Sequence, residues 1–262
     1  MKCLKKIIDF DEMKRHKIKA VVYIVLRLVT VATLIFSLIR GQWENAMTCL
    51  LTLALLFVPL FIERKMEIML PSAMEVLVIS FVFAANIMGE ISAMYEKFPL
   101  FDTILHTING FICAGVGFGL IDILNRDKRI KINLSPIFVC LFSFCFSMTA
   151  GTVWEFFEFS MDFFFAKDMQ KDTVINAINS KLLSENGEIV HITDIIFTAV
   201  NDTPLKVNGY LDIGLYDTMK DLLVNFAGAL VFNTAGWFYL KGRGKLPLII
   251  KNFIPSHKKT SD

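Results

Sequence analysis

The run GTVWEFFEFSMDFFF, residues 151–165, decides how this chain folds. It is bulky and aromatic, yet it carries three carboxylates, Glu155, Glu158 and Asp162. In a helix these three side chains lie on one stripe, because residues three, four and seven apart share a face. A bilayer or neighbouring helices would cover the aromatic faces that remain. Acidic side chains at membrane depth are costly, so this stripe indicates a pairing or functional role.

The other apolar residues are also grouped in blocks, each close to the length of about 20 residues that crosses a bilayer. Of the 262 residues, 55% are hydrophobic, above the roughly 45–50% of soluble domains. We therefore predict an all-α, polytopic membrane bundle: one integral membrane domain, residues 1–262, with about six transmembrane helices and one long extracytoplasmic loop. The predicted helices are 18–39, 46–62, 74–89, 102–124, 135–165 and 217–240, and the loop is 166–216.

Lysine and arginine in the flanks predict the orientation of the helices. One side of the predicted membrane holds nineteen of them, including the N-terminal segment, the C-terminal tail and the turn with Lys128, Arg129 and Lys131. The opposite flanks hold six. The pattern predicts a multi-pass protein of the plasma membrane with both termini cytoplasmic.

Polar residues recur every four positions at the start of two further helices. Asp102 and His106 open the fourth, and Asp217, Asp221 and Asn225 open the sixth. Because successive spans alternate in direction, these two starts and the end of the fifth helix lie on the outer side of the membrane. At about 1.5 Å per residue the polar side chains reach similar depths. We therefore expect a shared cavity, open to the outside, formed by His106, Glu155, Glu158, Asp217, Asp221 and Asn225.

Several carboxylates close together cannot all stay ionised unless protons or a cation compensate their charge. Carboxylates with one imidazole and an amide suit Mg²⁺, Mn²⁺ or Ca²⁺, with Zn²⁺ also possible. We predict His106, Glu155, Asp217 and Asp221 as metal ligands, Glu158 as catalytic base, and Asp102, Asp162 and Asn225 as supporting residues. Such a site could serve a metal-dependent hydrolase or transferase acting on a lipid-linked envelope substrate. A proton- or cation-coupled transporter and a non-catalytic membrane scaffold stay open as alternatives.

Other features bear on partners. Arg27 lies inside the first predicted helix, where we expect it to pair with Glu75 or to line a polar surface. The chain has no phosphate-binding glycine loop, no GxSxG motif and no nucleic-acid signature. The expected partners are membrane lipids and a lipid-linked or small-molecule substrate, and the oligomeric state is left open.

The order of these polar residues resembles a known pattern. Asp102-x3-His106, then Glu155-x2-Glu158, then Asp217-x3-Asp221-x3-Asn225 is similar to VanZ-like membrane proteins. It resembles more closely the bacterial inner-membrane proteins typified by YjdF. The resemblance covers about residues 102–229 and implies a protein of the bacterial envelope. Where VanZ-like proteins commonly have Gln as the second residue of the acidic pair, this chain has Glu158.

Overall fold

A computed structural model describes residues 2–65, 68–126, 134–242 and 252–257. Lys128, Arg129 and Lys131, on which the predicted orientation partly depends, lie outside these ranges. By its internal contacts the chain divides into two compact units. The first unit comprises residues 1–151 and 224–262, and the second comprises residues 152–223. The single membrane domain stays a prediction.

The part of the chain that the structure describes is mostly helical. Its α-helices are α1 (Lys2–Ile39), α2 (Trp43–Leu55), α3 (Val58–Lys65), α4 (Ser72–Phe83), α5 (Met94–Lys97), α6 (Phe101–Arg126), α7 (Pro136–Phe165) and α8 (Leu215–Lys241), and a π-helix, Ala84–Ile91, follows α4 directly.

Within the described ranges, six segments are long and apolar enough to cross a membrane, which confirms the predicted polytopic helical fold. Their ends differ from the predicted ones by at most three residues. The spans are Lys17–Ile39, Trp43–Ile62, Ser72–Ile91, Phe101–Asn125, Pro136–Phe165 and Leu215–Lys241.

Two spans contain irregular backbone. The second is interrupted between Leu55 and Val58, just before Pro59, whose ring nitrogen cannot donate a helical hydrogen bond. The third changes from α4 into the π-helix, where the Ser92 N–H donates to the Ile87 carbonyl five residues earlier, at 3.0 Å. In the first unit, α1 packs against α2 and α4.

In the first unit, α6 and α8 approach each other closely at two glycines. A Cβ on Gly110 would lie 2.0 Å from the carbonyl oxygen of Asn225, and one on Gly228 would lie 2.0 Å from that of Thr107. Further along, Gly236 meets the ring of Phe118, so α6 and α8 run in the same direction. Glycine is required at these contacts because the two backbones touch.

The Ser143 and Ser147 side chains join α7 to α6 in the same unit. Their hydroxyls donate to the carbonyls of Ala114 (2.7 Å) and Gly110 (2.8 Å). As the residue number rises on α7 it falls on α6, so these two helices are antiparallel. Both hydroxyls are buried, and backbone carbonyls satisfy them inside the apolar layer.

An aromatic core packs next to these contacts, toward the C-terminal ends of α6 and α8. The Phe232 ring packs edge-to-face on Phe111 and on Phe118, with centroids 5.1 and 5.8 Å apart. The C-terminal segment returns to this core: the Phe253 ring packs on Phe111 at 5.4 Å, and Ile254 is buried. The next two residues form the strand β8 (Ser256–His257), which pairs antiparallel with β1 (Ile68–Met69).

The second unit holds the end of α7, the start of α8 and the connection between them. This connection forms three short antiparallel strand pairs. They join β2 (Thr173–Ile175) to β7 (Tyr210–Asp212), β3 (Ile178–Ser180) to β4 (Val190–Ile192), and β5 (Ala199–Val200) to β6 (Thr203–Pro204).

The contact between α6 and α8 predicts a steep cost for one methyl group. Gly110→Ala should lower the free energy of unfolding by about 1–3 kcal/mol, because the new Cβ overlaps backbone that cannot move alone. The matched control is Gly115→Ala on the same helix, where a Cβ would lie 3.1 Å from the Met74 methyl and from a ring carbon of Phe232, and 3.2 Å from the Phe253 carbonyl oxygen, so that shifts of a few tenths of an ångström accommodate it. Thermal unfolding in detergent measures both. Equal midpoints for the two variants would contradict the close contact.

Candidate metal site

The first unit contributes a buried histidine. His106 lies in the second turn of α6 and is 7% exposed. Its Nε2 is 3.4 Å from Oδ1 of Asp102, one turn earlier on the same face. The predicted pair is therefore present, with the carboxylate oriented toward the imidazole. A carboxylate in this position orients the imidazole ring.

Asn225 forms a polar junction between three helices of the first unit. It is fully buried on α8 and accepts a hydrogen bond at Oδ1 from Asn109 Nδ2 of α6, at 3.1 Å. Its own Nδ2 donates to the Ser147 carbonyl of α7 at 3.3 Å. A Cβ on Gly151 of α7 would lie 2.8 Å from the same Nδ2. Asn225 thus holds α6, α7 and α8 together, and its support of a metal ligand stays a prediction.

Sequence reasoning missed three partners of Asn225: Asn109, Ser147 and Gly151. Asn109 had a visible signal, because it continues the stripe of Asp102 and His106 by three residues. Ser147 had none, since a lone serine in an apolar helix commonly bonds its own backbone.

The second unit contributes the acidic stripe of α7. Glu155 and Glu158 are 4% and 7% exposed, whereas Phe156 and Phe163 are 65% and 70% exposed. The carboxylates therefore form the buried face of the helix and the aromatic rings form the outer face. The indole N–H of Trp154 donates to Glu158 Oε1 at 2.7 Å, which fixes one oxygen of the predicted catalytic base.

Asp162 has a structural role. Its two carboxylate oxygens accept the backbone N–H groups of Met169 (2.6 Å) and Gln170 (2.8 Å). Asp217, at the start of α8, accepts the next N–H, that of Lys171, at 2.8 Å. Two predicted site residues thus hold three consecutive backbone groups where the connection leaves α7. Metal binding by Asp217 stays a prediction.

Asp221 is the most deeply buried acid of the second unit, at 1% exposure. It lies one turn after Asp217, and Lys220 Nζ is 3.8 Å from its Oδ1 and 3.4 Å from Asp217 Oδ1. The ammonium of this half-exposed lysine offsets part of the acidic charge at the start of α8.

One acid of the connection, although exposed, has a shifted pKa. Asp172 has a raised pKa, first because of desolvation and then because Asp168 and Asp212 repel its charged form. The carboxylates around the start of this segment therefore already repel one another.

The described residues thus include buried histidine, aspartate and glutamate side chains of the types that could hold a metal ion. These are His106, Glu155, Glu158 and Asp221, with half-buried Asp102. The donor set is oxygen-rich with one imidazole, as divalent cations of the Mg²⁺, Mn²⁺, Ca²⁺ or Zn²⁺ type accept. Which ion it would hold stays a prediction.

The hydrogen bonds of Asp162 predict how the connection responds to a neutral substitute. Asp162→Asn should speed proteolysis within residues 166–171, because an amide NH₂ group cannot accept the second backbone N–H. Asp168→Asn is the control, since the exposed Asp168 side chain contacts only the Lys171 ammonium among the described residues. Limited proteolysis with mass-spectrometric mapping measures the rates. Equal rates in both variants would show that Asp162 does not hold the segment.

Comparison with known proteins places the chain in one group. A family model described as "Predicted membrane protein (DUF2238)" matches residues 22–242, which include all the helices that carry the candidate residues. No curated protein and no solved structure matches the chain with significance. Since the matched residues make up most of its length, the chain belongs to this family of predicted membrane proteins.

Proposed function

We propose that the protein binds a divalent metal ion and uses it to hydrolyse, or to transfer a group from, a lipid-linked substrate of the bacterial envelope. His106, Glu155 and Asp221 would be the ligands. Glu158 would be the catalytic base, and Asn225 would hold the helices that carry the ligands.

The observation that carries this proposal is the junction at Asn225. There α6, α7 and α8 touch through Asn109, Gly151 and Asn225 itself. The helices α6 and α8 are parallel, and α7 is antiparallel to them. One helical turn from the junction, toward the N-terminal ends of α6 and α8 and the C-terminal end of α7, come His106 on α6, Glu155 on α7 and Asp221 on α8. Residues three or four apart share a helix face, at an axial distance of about 4.5–6 Å. Helix continuity therefore supports a shared site one turn from the junction.

Burial supports a cation rather than ionised acids alone. Glu155, Glu158 and Asp221 could carry three negative charges, and all three are at least nine-tenths buried in segments suited to a membrane. Ionised groups in such surroundings require close compensation. A divalent ion bound by carboxylates and an imidazole supplies it.

The remaining groups fit hydrolytic chemistry. A bound divalent ion would polarise a phosphoryl or carbonyl oxygen and lower the pKa of a bound water. Glu158 could take the proton of that water, and the Trp154 indole holds the orientation of its carboxylate. Asp102 would orient the His106 ring. We assign Asp162 and Asp217 to positioning the connection, because each already accepts backbone N–H groups there.

Transport is the second candidate, and the packing of the first unit counts against it. From Asn225 toward the other end of α6, the described core contains the rings of Phe111, Phe118 and Phe232, and the buried polar side chains of Asp122 and Asn233 lie in the same direction. The Ser143 and Ser147 hydroxyls are bonded to backbone carbonyls and do not offer an ion path. Aromatic rings packed on this side of the site suit an enzyme better than a carrier.

Metal content tests the proposal. Purified wild-type protein should contain a divalent metal, and His106→Ala and Asp221→Asn should each lose most of it, since each removes a ligand. Glu158→Gln should keep the metal, because a base is not needed for binding. Glu185→Gln is the control for expression and folding, since Glu185 is exposed. Elemental analysis beside thermal unfolding measures all five proteins.

Each result decides between the candidates. Absence of metal from folded wild type, after incubation with each candidate ion, would exclude the catalytic proposal. If His106→Ala and Asp221→Asn then also lost stability, a scaffold role would explain their burial. Metal present together with uptake into proteoliposomes would favour the transporter.

We also propose that residues 166–216 are extracytoplasmic, because the basic flanks predict cytoplasmic termini. Alkaline phosphatase is active only outside the cytoplasm, so a fusion after Lys181 should be active and one after Lys128 inactive. Immunoblots control for fusion levels. The reverse pattern would place the candidate residues at the cytoplasmic side and exclude a substrate from the outer leaflet.

A further inference from the structure

The first unit contains a second cluster of charged side chains, where α1 meets α4 and the break between α2 and α3. Lys19, Tyr23 and Arg27 are four residues apart on α1 and share one face. Glu75, in the first turn of α4, is fully buried beside them. All these residues lie in candidate membrane spans.

Glu75 is satisfied by two of its neighbours. Its Oε2 forms an ion pair with the Lys19 ammonium, and its Oε1 accepts the Tyr23 hydroxyl at 2.8 Å. The expected pairing of Arg27 with Glu75 is therefore wrong. Lys19 takes that place because it lies two helical turns nearer the end of the span, level with the first turn of α4.

Arg27 is left with weak partners. Its guanidinium stacks over the rings of Phe57 (4.2 Å) and Tyr23 (5.0 Å), and Nη2 donates to the Leu56 carbonyl at 3.4 Å. Its buried Nε has no hydrogen-bond acceptor, and it forms no ion pair, among the residues that the structure describes. A guanidinium in a membrane span without a carboxylate is costly, so a further anion would stabilise it.

A cavity lies against these cations. It has a volume of about 300 Å³ and is lined by Lys19, Ala20, Tyr23, Ile24, Arg27 and Leu60. The Arg27 side chain points back over Tyr23, toward the end of the span where Lys19 lies, as long helical side chains do. That end is where the phosphates of one leaflet would be found. The apolar residues that line the cavity suit the glycerol and upper acyl chains of a lipid.

We propose that this cavity binds the phosphate of an anionic membrane phospholipid, with Arg27 as the principal ligand. Charge supports this occupant: the cluster holds two cations and one carboxylate, so one positive charge is left for a ligand. A guanidinium offers paired N–H donors that match phosphate oxygens, which a point charge does not. Basic pockets between membrane helices bind lipid headgroups in this way. The site does not depend on the proposed metal site.

Delipidated protein in a neutral detergent provides the test. Added phosphatidylglycerol should raise the unfolding midpoint more than phosphatidylcholine does, because the choline ammonium offsets the phosphate charge. Arg27→Gln should bind phosphatidylglycerol about tenfold or more weakly, as expected for the loss of a charge-assisted hydrogen bond. Arg40→Gln is the matched control, since Arg40 also stacks on a ring, Phe36 at 4.1 Å, but lies at the other end of α1.

The readout is the difference between the two lipids within each variant, so a general loss of stability in Arg27→Gln does not affect it. If Arg27→Gln does not fold, Arg27→Lys replaces it and should also bind phosphatidylglycerol more weakly, because the paired donors are lost. Native mass spectrometry counts the lipid retained by each variant. Equal effects of both lipids, an unchanged effect in the Arg27 variant, or equal protection by inorganic phosphate alone would each overturn the proposal.

Discussion

Contact between the backbones of α6 and α8 is the constraint on which the described helical core depends. Helices that already lie in a bilayer gain no hydrophobic free energy when they associate. They associate instead through close packing and interhelical hydrogen bonds. Gly110 and Gly228 permit an approach at which any side chain would overlap a carbonyl. Asn225, set between them, then reaches both α6 and α7 with one amide. A larger residue at either glycine would separate the donors and acceptors that this amide connects.

The described residues around Glu75 and the candidate metal residues differ in the sign of their excess charge. Around Glu75, the two cations Lys19 and Arg27 and one carboxylate give an excess of one positive charge. The candidate metal residues, with His106 as the one imidazole, leave negative charge over. In an apolar layer neither excess is stable alone, and each calls for a ligand of the other sign. An anion and a cation are therefore the complementary ligands that the chemistry of the two places favours.

The sequence predicts the spans closely because hydrophobic length is a strong local signal. It also finds the buried acids of α7 and α8, since charges inside apolar blocks are conspicuous, but it misses the buried Asp122 on α6. The ion-pair partner of Glu75 could not be predicted in this way. Whether Glu75 contacts Arg27 or Lys19 depends on how far α1 and α4 are shifted along their axes relative to each other, and the spacing of residues along the sequence does not determine that shift. The break before Pro59 had a local signal in the proline itself. The π-helix had none that pattern reasoning could use.

Burial of the last described segment has a consequence for biosynthesis. Phe253 and Ile254 belong to the same core as α6 and α8, and β8 pairs with a strand from the first third of the chain. While a ribosome still holds these residues in its exit tunnel, that core lacks part of its packing. The six spans can be inserted one by one during synthesis, but the core closes only after residues 253–257 have left the exit tunnel. Premature termination near residue 250 would therefore yield a protein that is fully inserted yet incompletely packed.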